Sequence, residues 1–412
     1  MENYTYITGS NRNLSGYLLQ NLITEGGIAG HMRHPIDYVD FTGKDLIELV
    51  ESIFTGKIER LKEKLDGTNI NAYRNLRGEV RFIRNQGDLN SEDGGMSIEG
   101  MATKWASKPS VADNFIRSGK IIEEVFEKVP VKFFNPDNNT KVIVNCECIS
   151  EGTTNVMVYP SDRVAFHGTS TYTKTDYGWE LTSASEGCPS EISSAAEHIK
   201  GTEPRPDLIL KSVEEGEKLA KRFAKEIEKI FREEGLSISD TIDTWKEHRF
   251  ANLCPSWLDP KDVYRRFFYG DKSIGLTTLK KKYSEYSDEL KQLDSKGYKK
   301  LVQEVMEPMD RLFFKIGNSL IENLKGFTND SNASSVQLQL KKNLDELVAD
   351  IRKDATEEEA EKLERQLNRL NDIGNVLNSA EGVVFLYKNR LMKLTGSFSA
   401  LNQIMGLRKF SR

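Results

Sequence analysis

The sequence predicts an α+β fold in which a helical segment is inserted into a domain of antiparallel sheets. Up to about residue 200, apolar and polar residues alternate between glycines, which is the pattern of half-buried strands. Between about residues 208 and 377, apolar residues recur at three- and four-residue spacing, as in amphipathic helices. From residue 380 the alternation returns. Because a late pair of strands needs partners, we expect the first and last segments to pack together as one domain.

The first segment contains predicted strands at 78–84, 142–148 and 155–159, and a turn at 75–78 precedes the first of them. Cys146 and Cys148 would point to the same face of their strand. No second pair of cysteines has the spacing of a zinc site, so we expect both thiols to pack in the core. Free thiols favour a reducing compartment.

The later segments are divided by residues that break regular structure. The stretch 201–206 is rich in such residues and separates the strands from the helices. Helices are predicted at 208–234, 260–269, 279–293, 298–324, 336–355 and 356–377. Strands at 380–387 and 391–394, with a turn at 388–390, predict a hairpin. The predicted domain bounds are 1–205 and 379–412 for the two parts of the sheet domain, and 206–378 for the all-α insertion.

The charge and hydropathy of the chain restrict its class. The formal net charge of −5 excludes a histone-like protein that binds nucleic acid by charge alone, but it allows a local cationic groove. No run approaches the roughly 20 apolar residues of a membrane span. The first residues lack the pattern of a secretory signal, so we expect a cytoplasmic protein without a membrane partner. A P-loop motif is absent from the sequence, which argues against nucleotide binding by that route.

The strongest local signal is the run Glu-Lys-Leu-Asp-Gly-Thr-Asn at residues 63–69. It resembles motif I of the covalent nucleotidyltransferases, Lys-x-Asp-Gly. Further elements follow in the order of that family: Arg84 before a glycine resembles motif Ia, Glu147 motif III, Glu381 motif IV and Lys393 motif V. Each match lies in or at the end of a predicted strand. The resemblance implies the ligase-type nucleotidyltransferase (adenylation) domain for the two sheet-forming segments.

Within that superfamily, the run at 63–69 is most similar to the RNA ligases of phage T4 type, particularly the RNA ligase 2 branch. The resemblance implies a phage-encoded, ATP-dependent RNA ligase that uses Mg²⁺ or Mn²⁺ in the cytoplasm of a host cell. Lys64 would attack the α-phosphate of ATP, AMP would pass to an RNA 5′-phosphate, and an RNA 3′-hydroxyl would displace it. The resemblance also implies that Glu63 contacts adenine and that Asn69 helps position the RNA 3′ end.

The nucleophile has to be a neutral amine, although an unperturbed lysine titrates near ~10.4. We expect Arg84, Lys393 and a bound Mg²⁺ to disfavour the ammonium form of Lys64. The same cations would stabilise the charge on the phosphate oxygens as the α-phosphorus becomes five-coordinate. The sequence therefore predicts a cationic environment around the lysine.

The remaining site residues follow from their chemistry. Glu381 is the expected carboxylate ligand of the metal, since Mg²⁺ prefers a few carboxylates together with water and phosphate. Glu147 is expected to accept a hydrogen bond from the ribose hydroxyls. Asp66 and Gly67 are expected to shape the turn that presents Lys64, because glycine tolerates a close approach of the backbone.

Two features depart from the family pattern. Thr395 stands where the family often has a second motif V lysine. Only 19 residues follow Lys393, which is too few for the OB-fold domain of DNA ligases and capping enzymes, and this favours the RNA ligases. A DNA or mixed-substrate ligase stays open. So does a structural or adaptor protein that retains the core and binds a protein partner through its helices.

Several residues also have a purely structural interpretation. Lys64 could end a helix-like run at 58–65, and Glu147 could pair with Arg163. Aromatic and cationic clusters at 264–269 and 280–283 suit either helix packing or single-stranded RNA. His31 and His34 lack a third ligand, so they are expected to be loop residues. A candidate RNA-phosphate surface is formed by Arg74, Arg77, Arg81 and Arg84, although some of these are expected to be solvated.

Overall fold

The computed structural model describes residues 32–409 except 152–155, 270, 272, 274 and 375. Over these residues the chain is mixed α+β with antiparallel sheets, as the sequence predicts. The strands are β1 (Glu59–Lys64), β2 (Thr68–Arg74), β3 (Val80–Ile83), β4 (Thr140–Ile149), β5 (Arg163–Thr175), β6 (Gly178–Glu186), β7 (Ile209–Leu210), β8 (Leu324–Lys325), β9 (Gly382–Tyr387) and β10 (Arg390–Thr395).

Helices precede, separate and follow these strands along the chain. They are α1 (Gly43–Phe54), α2 (Gln86–Leu89), α3 (Ile98–Lys104), α4 (Pro109–Glu127), α5 (Val131–Phe134), α6 (Ser190–Ala196), α7 (Val213–Glu233), α8 (Ile242–Leu253), α9 (Pro260–Tyr269), α10 (Leu276–Lys282), α11 (Ser287–Gln292), α12 (Tyr298–Glu322), α13 (Ala333–Asp354), α14 (Glu357–Asp372) and α15 (Phe398–Lys409). Within the described ranges, none of these helices combines the length and the apolar character needed to span a membrane.

The chain divides into two compact units. Of the described residues, the helical unit contains 34–57 and 212–316, and the sheet unit contains 32–33, 58–211 and 317–409. This division does not follow the predicted bounds of 1–205, 206–378 and 379–412. Residues 317–378 belong to the sheet unit because α13 and α14 bury leucines in a core shared with its strands. Residues 34–57 belong to the helical unit because α1 packs on α7, where Phe54 stacks on Phe223.

One sheet of the sheet unit joins distant parts of the chain. Its strand order is β1-β9-β10, and all its pairs are antiparallel. Lys64 pairs with Gly382, and Lys393 pairs with Val384. The predicted contact between the first and last segments is therefore confirmed. The predicted hairpin is also confirmed, since Lys388 and Asn389 form its two-residue turn with positive φ angles of 48° and 58°.

The second sheet has the strand order β3-β2-β4-β5-β6. Its apolar face includes Ile70, Cys146 and Cys148, which are buried in one core with residues of α4. The predicted packing role of the two thiols is confirmed, and burial raises the pKa of Cys148 to about 12. Because side chains alternate across a strand, Asn69 and Glu147 face the opposite side of this sheet.

Two local predictions and one structural alternative are wrong. Residues 156–159 form no strand. Instead Val156, Met157 and Tyr159 are buried in an irregular segment that packs in one core with α13 and α14. Asn155 and His31 lie outside the described residues. The run ending at Lys64 is a strand rather than a helix. The helix predicted at 279–293 is broken into α10, a 3₁₀ turn and α11.

The aromatic and cationic cluster at 264–269 is part of the core of the helical unit. Tyr264 and Phe267 are buried with Phe250 in this core. Arg266 makes a two-pronged ion pair with Asp294, with nitrogen–oxygen distances of 2.7 and 3.2 Å. The packing interpretation therefore accounts for most of this cluster.

Candidate active site

Lys64 is the last residue of β1, and its amine lies against a carboxylate from the far end of the chain. Because Lys64 pairs with Gly382, the preceding residue Glu381 stands beside it. Lys64 Nζ and Glu381 Oε1 are 2.6 Å apart. The lysine side chain is 20% exposed and the glutamate side chain 7% exposed, so the ion pair lies mostly out of contact with solvent.

The turn that follows Lys64 is held by hydrogen bonds to three other segments. The backbone N–H of Asp66 donates to Tyr159 Oη at 2.8 Å, and the N–H of Met157 donates to Asp66 Oδ2 at 2.7 Å. The N–H of Gly67 donates to Glu147 Oε1 at 3.0 Å. A Cβ at Gly67 would lie 2.6 Å from Glu147 Cγ, so only glycine fits here. Asp66 and Gly67 thus lie in the turn that follows Lys64, and their expected contact with a nucleotide stays a prediction.

Glu147 connects the turn to the polar face of the second sheet. It is paired across the strands with Asn69, whose buried Oδ1 accepts no hydrogen bond from the described residues. The other oxygen of Glu147, Oε2, lies 3.8 Å from Nε2 of the buried His167. The alternative pairing of Glu147 with Arg163 is wrong, because Arg163 pairs with Glu203.

The charge around Lys64 differs from the predicted cationic environment. Burial favours the neutral amine, but the negative charges of Glu381, Glu147 and Asp66 outweigh it, and the pKa of Lys64 is raised. The cause is the register of β1 and β9, which brings Glu381 to the amine. In this state Lys64 is an ammonium group, and it has to lose a proton before it can act as a nucleophile.

Two of the acidic side chains near Lys64 hold protons more readily than ordinary carboxyl groups. Burial raises the pKa of Glu381 to about 7, against the opposing effect of Lys64. Burial likewise raises the pKa of Asp66 to about 6, although the Met157 N–H and Lys64 favour its charge. Both shifts arise because a buried carboxylate loses solvation by water.

The other predicted residues are placed differently. Glu63 is fully buried on the opposite face of β1, where its Oε2 accepts the Thr328 N–H at 2.7 Å. Lys393 is on β10 and faces the same side of the sheet as Lys64. Arg84 follows β3 and makes a bidentate ion pair with Asp88, in which its Nε and Nη2 atoms lie 3.0 and 3.1 Å from the carboxylate oxygens. The structure therefore gives Arg84 an internal partner.

The predicted row of arginines does not form a common cationic surface. Arg74 donates to the carbonyls of Phe126, Glu127 and Val129 at the C-terminal end of α4. Arg81 pairs with Glu79 at 2.6 Å. With Arg84 bound to Asp88, the row mainly stabilises its own sheet.

Glu381 fits a magnesium site only as one ligand among several. The described residues contain no group of three or more His, Cys, Asp or Glu that could hold a metal by itself. Mg²⁺ at nucleotide sites is commonly held by one or two carboxylates together with substrate phosphates. A single buried carboxylate beside the nucleophile suits that arrangement. His34 takes part in a local turn, where its N–H donates to Asp37 Oδ2 at 2.8 Å.

Two residues of the site were missed from the sequence. His167 reaches Glu147 because β5 has an irregular register opposite Asn145 and Cys146, and alternation alone does not predict this. Tyr159 supports the turn after Lys64 from a segment without regular structure. Its only sequence signal is an aromatic residue in an apolar run before Pro160, which is equally typical of a strand.

A cavity of about 550 Å³ lies elsewhere in the sheet unit, where Arg60, Lys62, Cys188 and Asp207 contribute to its wall. The Lys64 site is therefore defined by its side-chain cluster rather than by this cavity. Comparison with known proteins gives no match to a family model, a curated protein or a solved structure.

Proposed function

We propose that this protein is an ATP-dependent RNA ligase that takes up AMP on Lys64 and seals RNA 5′-phosphate and 3′-hydroxyl ends. The proposed fold of the sheet unit is the ligase-type nucleotidyltransferase domain. The proposal combines the order of the motifs along the chain with the side chains that meet around one amine.

One observation carries the proposal. Lys64, Glu147 and Glu381 come from three strands or strand ends that are far apart in sequence, yet they form one cluster. A surface lysine would not need two buried or half-buried carboxylates and a glycine that no other residue can replace. The resemblance of 63–69 to motif I supports a nucleophilic role for this lysine.

The reaction begins with loss of a proton from Lys64. Glu381 Oε1 is 2.6 Å from Lys64 Nζ and is the group placed to receive that proton. Because the pKa of Lys64 is raised, the transfer is unfavourable until other cations at the site lower the pKa of the amine. The neutral amine then forms a bond to the α-phosphorus of ATP while the bond to pyrophosphate breaks. Mg²⁺, when bound, would neutralise charge on the phosphate oxygens. Glu147 holds the Gly67 N–H, so it keeps the turn and the amine in place.

The RNA specificity rests on the resemblance of residues 63–69 to RNA ligases. Asn69 lies on the same face as Glu147, and its buried Oδ1 accepts no hydrogen bond from the described residues. We propose that this polar face receives the RNA end. A ligase that joins DNA or mixed ends remains the alternative within the same chemistry.

A second candidate is a structural or adaptor protein that retains the core. Two observations favour it: the ammonium form of Lys64 is stabilised, and Thr395, at the second motif V position, is buried and bonded to Ser399. In that case the helices would form the surface that binds a protein partner.

The two candidates are separated by incubating the protein with Mg²⁺ and ATP labelled at the α-phosphate, followed by denaturing electrophoresis. We expect label on the wild-type chain and none on Lys64→Ala. Lys62→Ala is the matched control, since Lys62 lies two residues earlier on the same face of β1, and it should retain the label. No adduct on the wild-type chain, or an adduct that survives Lys64→Ala, would contradict the proposed ligase.

The substrate is then tested with nicked duplexes of RNA and DNA that share one sequence. We expect sealing of the RNA nick by the wild-type protein and by Lys62→Ala. Faster sealing of the DNA nick would favour the DNA ligase alternative.

A further inference from the structure

Helix α7 presents an exposed cationic face in the helical unit. Its other face is anchored, because Gly216, Ala220, Phe223, Ile227 and Phe231 are buried. Ser212 caps its N-terminus by accepting the Glu215 N–H at 3.1 Å. The helix is therefore fixed by its apolar side, and the orientation of its polar side is determined.

The exposed cations follow one line along this polar side. They are Lys218, Lys221, Arg222, Lys225, Lys229 and Arg232, here called the α7 stripe. At 100° per residue the stripe is roughly 100° wide and lies opposite the buried face. From the first to the last cation it is ~21 Å long. These side chains border a shallow depression of about 640 Å³.

The acids near the stripe neutralise it only weakly. Lys218 pairs with Glu214 at 2.8 Å, Arg222 with Glu226 at 3.9 Å, and Lys229 with Glu233 at 3.7 Å. Glu226 also borders the depression. Exposed pairs four residues apart on a helix contribute only about 0.3–0.5 kcal/mol, so a stronger anion can replace them. In the part of the chain that the structure describes, Lys221, Lys225 and Arg232 have no ion-pair partner. The stripe is thus a concentrated positive charge on a chain whose net charge is −5.

The composition of the stripe identifies its ligand. Its apolar side is already buried, so α7 cannot insert that side into a membrane. The stripe contains lysine and arginine without exposed aromatic rings on which single-stranded bases would stack. A straight line of cations matches the phosphate backbone of a duplex, which carries one charge per ~1.7 Å of axis.

We propose that the α7 stripe is a docking surface for the phosphate backbone of base-paired RNA. The choice of RNA rests on the proposed ligase function, whereas the phosphate docking rests on the stripe itself. The stripe would hold the duplex region of a substrate, independently of its sequence, through contacts to phosphates alone.

The test measures binding of a fluorescent 20-base-pair RNA duplex without ATP or metal, over a series of NaCl concentrations. The stripe variant is Lys221→Glu/Lys225→Glu/Arg232→Glu. Its control is Lys341→Glu/Lys342→Glu/Lys353→Glu, which changes three exposed cations of α13 and gives the same net charge. We expect the stripe variant to bind the duplex at least roughly 10-fold more weakly than the control, with a salt slope lower by about 3.

Equal affinity of the stripe variant and its control would overturn the inference, as would preferential binding of the wild-type protein to the single strand. Binding to phosphatidylserine vesicles that duplex RNA does not displace would also overturn it. The adenylylation assay separates this inference from the proposed function. A stripe variant that forms the Lys64 adduct at the wild-type rate but binds RNA weakly supports docking. A wild-type protein that binds RNA through the stripe without forming the adduct supports docking and contradicts the ligase.

Discussion

Lys64 is held in its unreactive form by the side chains that define its site. Glu381 contacts the amine, and the negative charges of Glu147 and Asp66 add to its effect. The ammonium form is therefore stable until another cation binds near Glu381 and lowers the pKa of the amine. This arrangement would protect the amine from adventitious electrophiles before a nucleotide arrives.

Gly67→Ala tests the contact between the turn and Glu147. A Cβ there would lie 2.6 Å from Glu147 Cγ and 2.8 Å from the Cys148 carbonyl oxygen, so the turn has to move. We expect the rate of adduct formation to fall roughly 100-fold, since a small displacement of a nucleophile costs about that much. The rate is measured with ATP labelled at the α-phosphate.

The control for this change is Gly406→Ala in α15. A Cβ at Gly406 meets no atom within 4 Å, and alanine favours a helix over glycine. This variant should keep the wild-type rate and be at least as stable. Equal rates for Gly67→Ala and Gly406→Ala would contradict the importance of the close approach.

The pKa of Asp66 predicts how stability depends on pH. Burial raises this pKa from 3.8 to about 6, so between these values the folded state binds more protons than the unfolded chain. The free energy of unfolding then falls as pH rises through this range. Asp66→Asn removes this pH dependence. The free energy of unfolding of the variant minus that of wild type should therefore increase by at most about 3 kcal/mol between pH 4 and pH 7. Urea titrations at the two pH values measure the difference.

Asp88→Asn is the control with the opposite sign. Burial opposes the charge of Asp88, but its hydrogen bonds with Arg84 outweigh this and its pKa is lowered. Near and below the ordinary pKa of aspartate, the folded state then binds fewer protons than the unfolded chain. The stabilisation by the Arg84–Asp88 ion pair is therefore lost as pH falls. A pH-independent difference between Asp66→Asn and wild type would refute the raised pKa.

At the residue scale, the sequence predicts the members of the cluster better than their electrostatics. The order of the motifs indicates Lys64, Glu147 and Glu381 as neighbours. The sign of the pKa shift of Lys64 depends on which side chains contact the amine, and this follows from strand register. The environment of Arg84 is equally hard to predict. Its ion-pair partner Asp88 is only four residues away, but the hydrophobic periodicity of the sequence does not show that the two side chains meet.

At the element scale, the C-terminal hairpin is the element whose strands and turn are predicted best from the sequence. The strand β9 is a continuous apolar run, β10 returns with three further apolar residues, and their two-residue turn has positive φ at Lys388 and Asn389. By contrast, residues 156–159 have the composition of a strand without its hydrogen bonds. Met157 donates to the Asp66 side chain instead of a neighbouring strand, and no local pattern reveals such a long-range partner.

Asn389→Gly tests the turn of the hairpin. Glycine adopts positive φ without steric cost, so the free energy of unfolding should rise by up to about 1 kcal/mol. Thermal denaturation measures this gain, and adduct formation should be unchanged because Glu381 keeps its position. Asn389→Val is the matched control and should lower stability, since a β-branched residue disfavours this conformation. Equal stabilities of the two variants would argue against the turn.

At the scale of the whole molecule, the site depends on a sheet that joins residues 318 positions apart, from Lys64 to Gly382. The α+β class and the pairing of the first and last segments could be predicted because strands need partners. The extent of the helical unit could not. Helices α13 and α14 have the same charged, leucine-rich composition as an insertion, but their leucines are buried in the core of the sheet unit.

Gly382→Ala tests this long-range pairing. A Cβ at Gly382 would lie 2.1 Å from the Leu394 carbonyl oxygen, which is backbone and cannot rotate away. We expect the amide hydrogens of β1 and β10 to exchange faster in this variant, by at least roughly 10-fold, since local opening becomes less costly. Gly275→Ala, at a position with no atom within 4 Å, should leave the exchange rates of both strands unchanged. Unchanged exchange in Gly382→Ala would contradict the register.

The pairing of β1 with β9 also sets the time at which a newly made chain could first react. Ribosomes add about 5–20 residues per second, so roughly 15–65 s pass between synthesis of Lys64 and synthesis of its partner strand. During that interval the lysine has neither Glu381 nor the sheet that fixes its backbone. If the proposed reaction is correct, nascent chains would therefore consume no ATP at this site before β9 and β10 have been made.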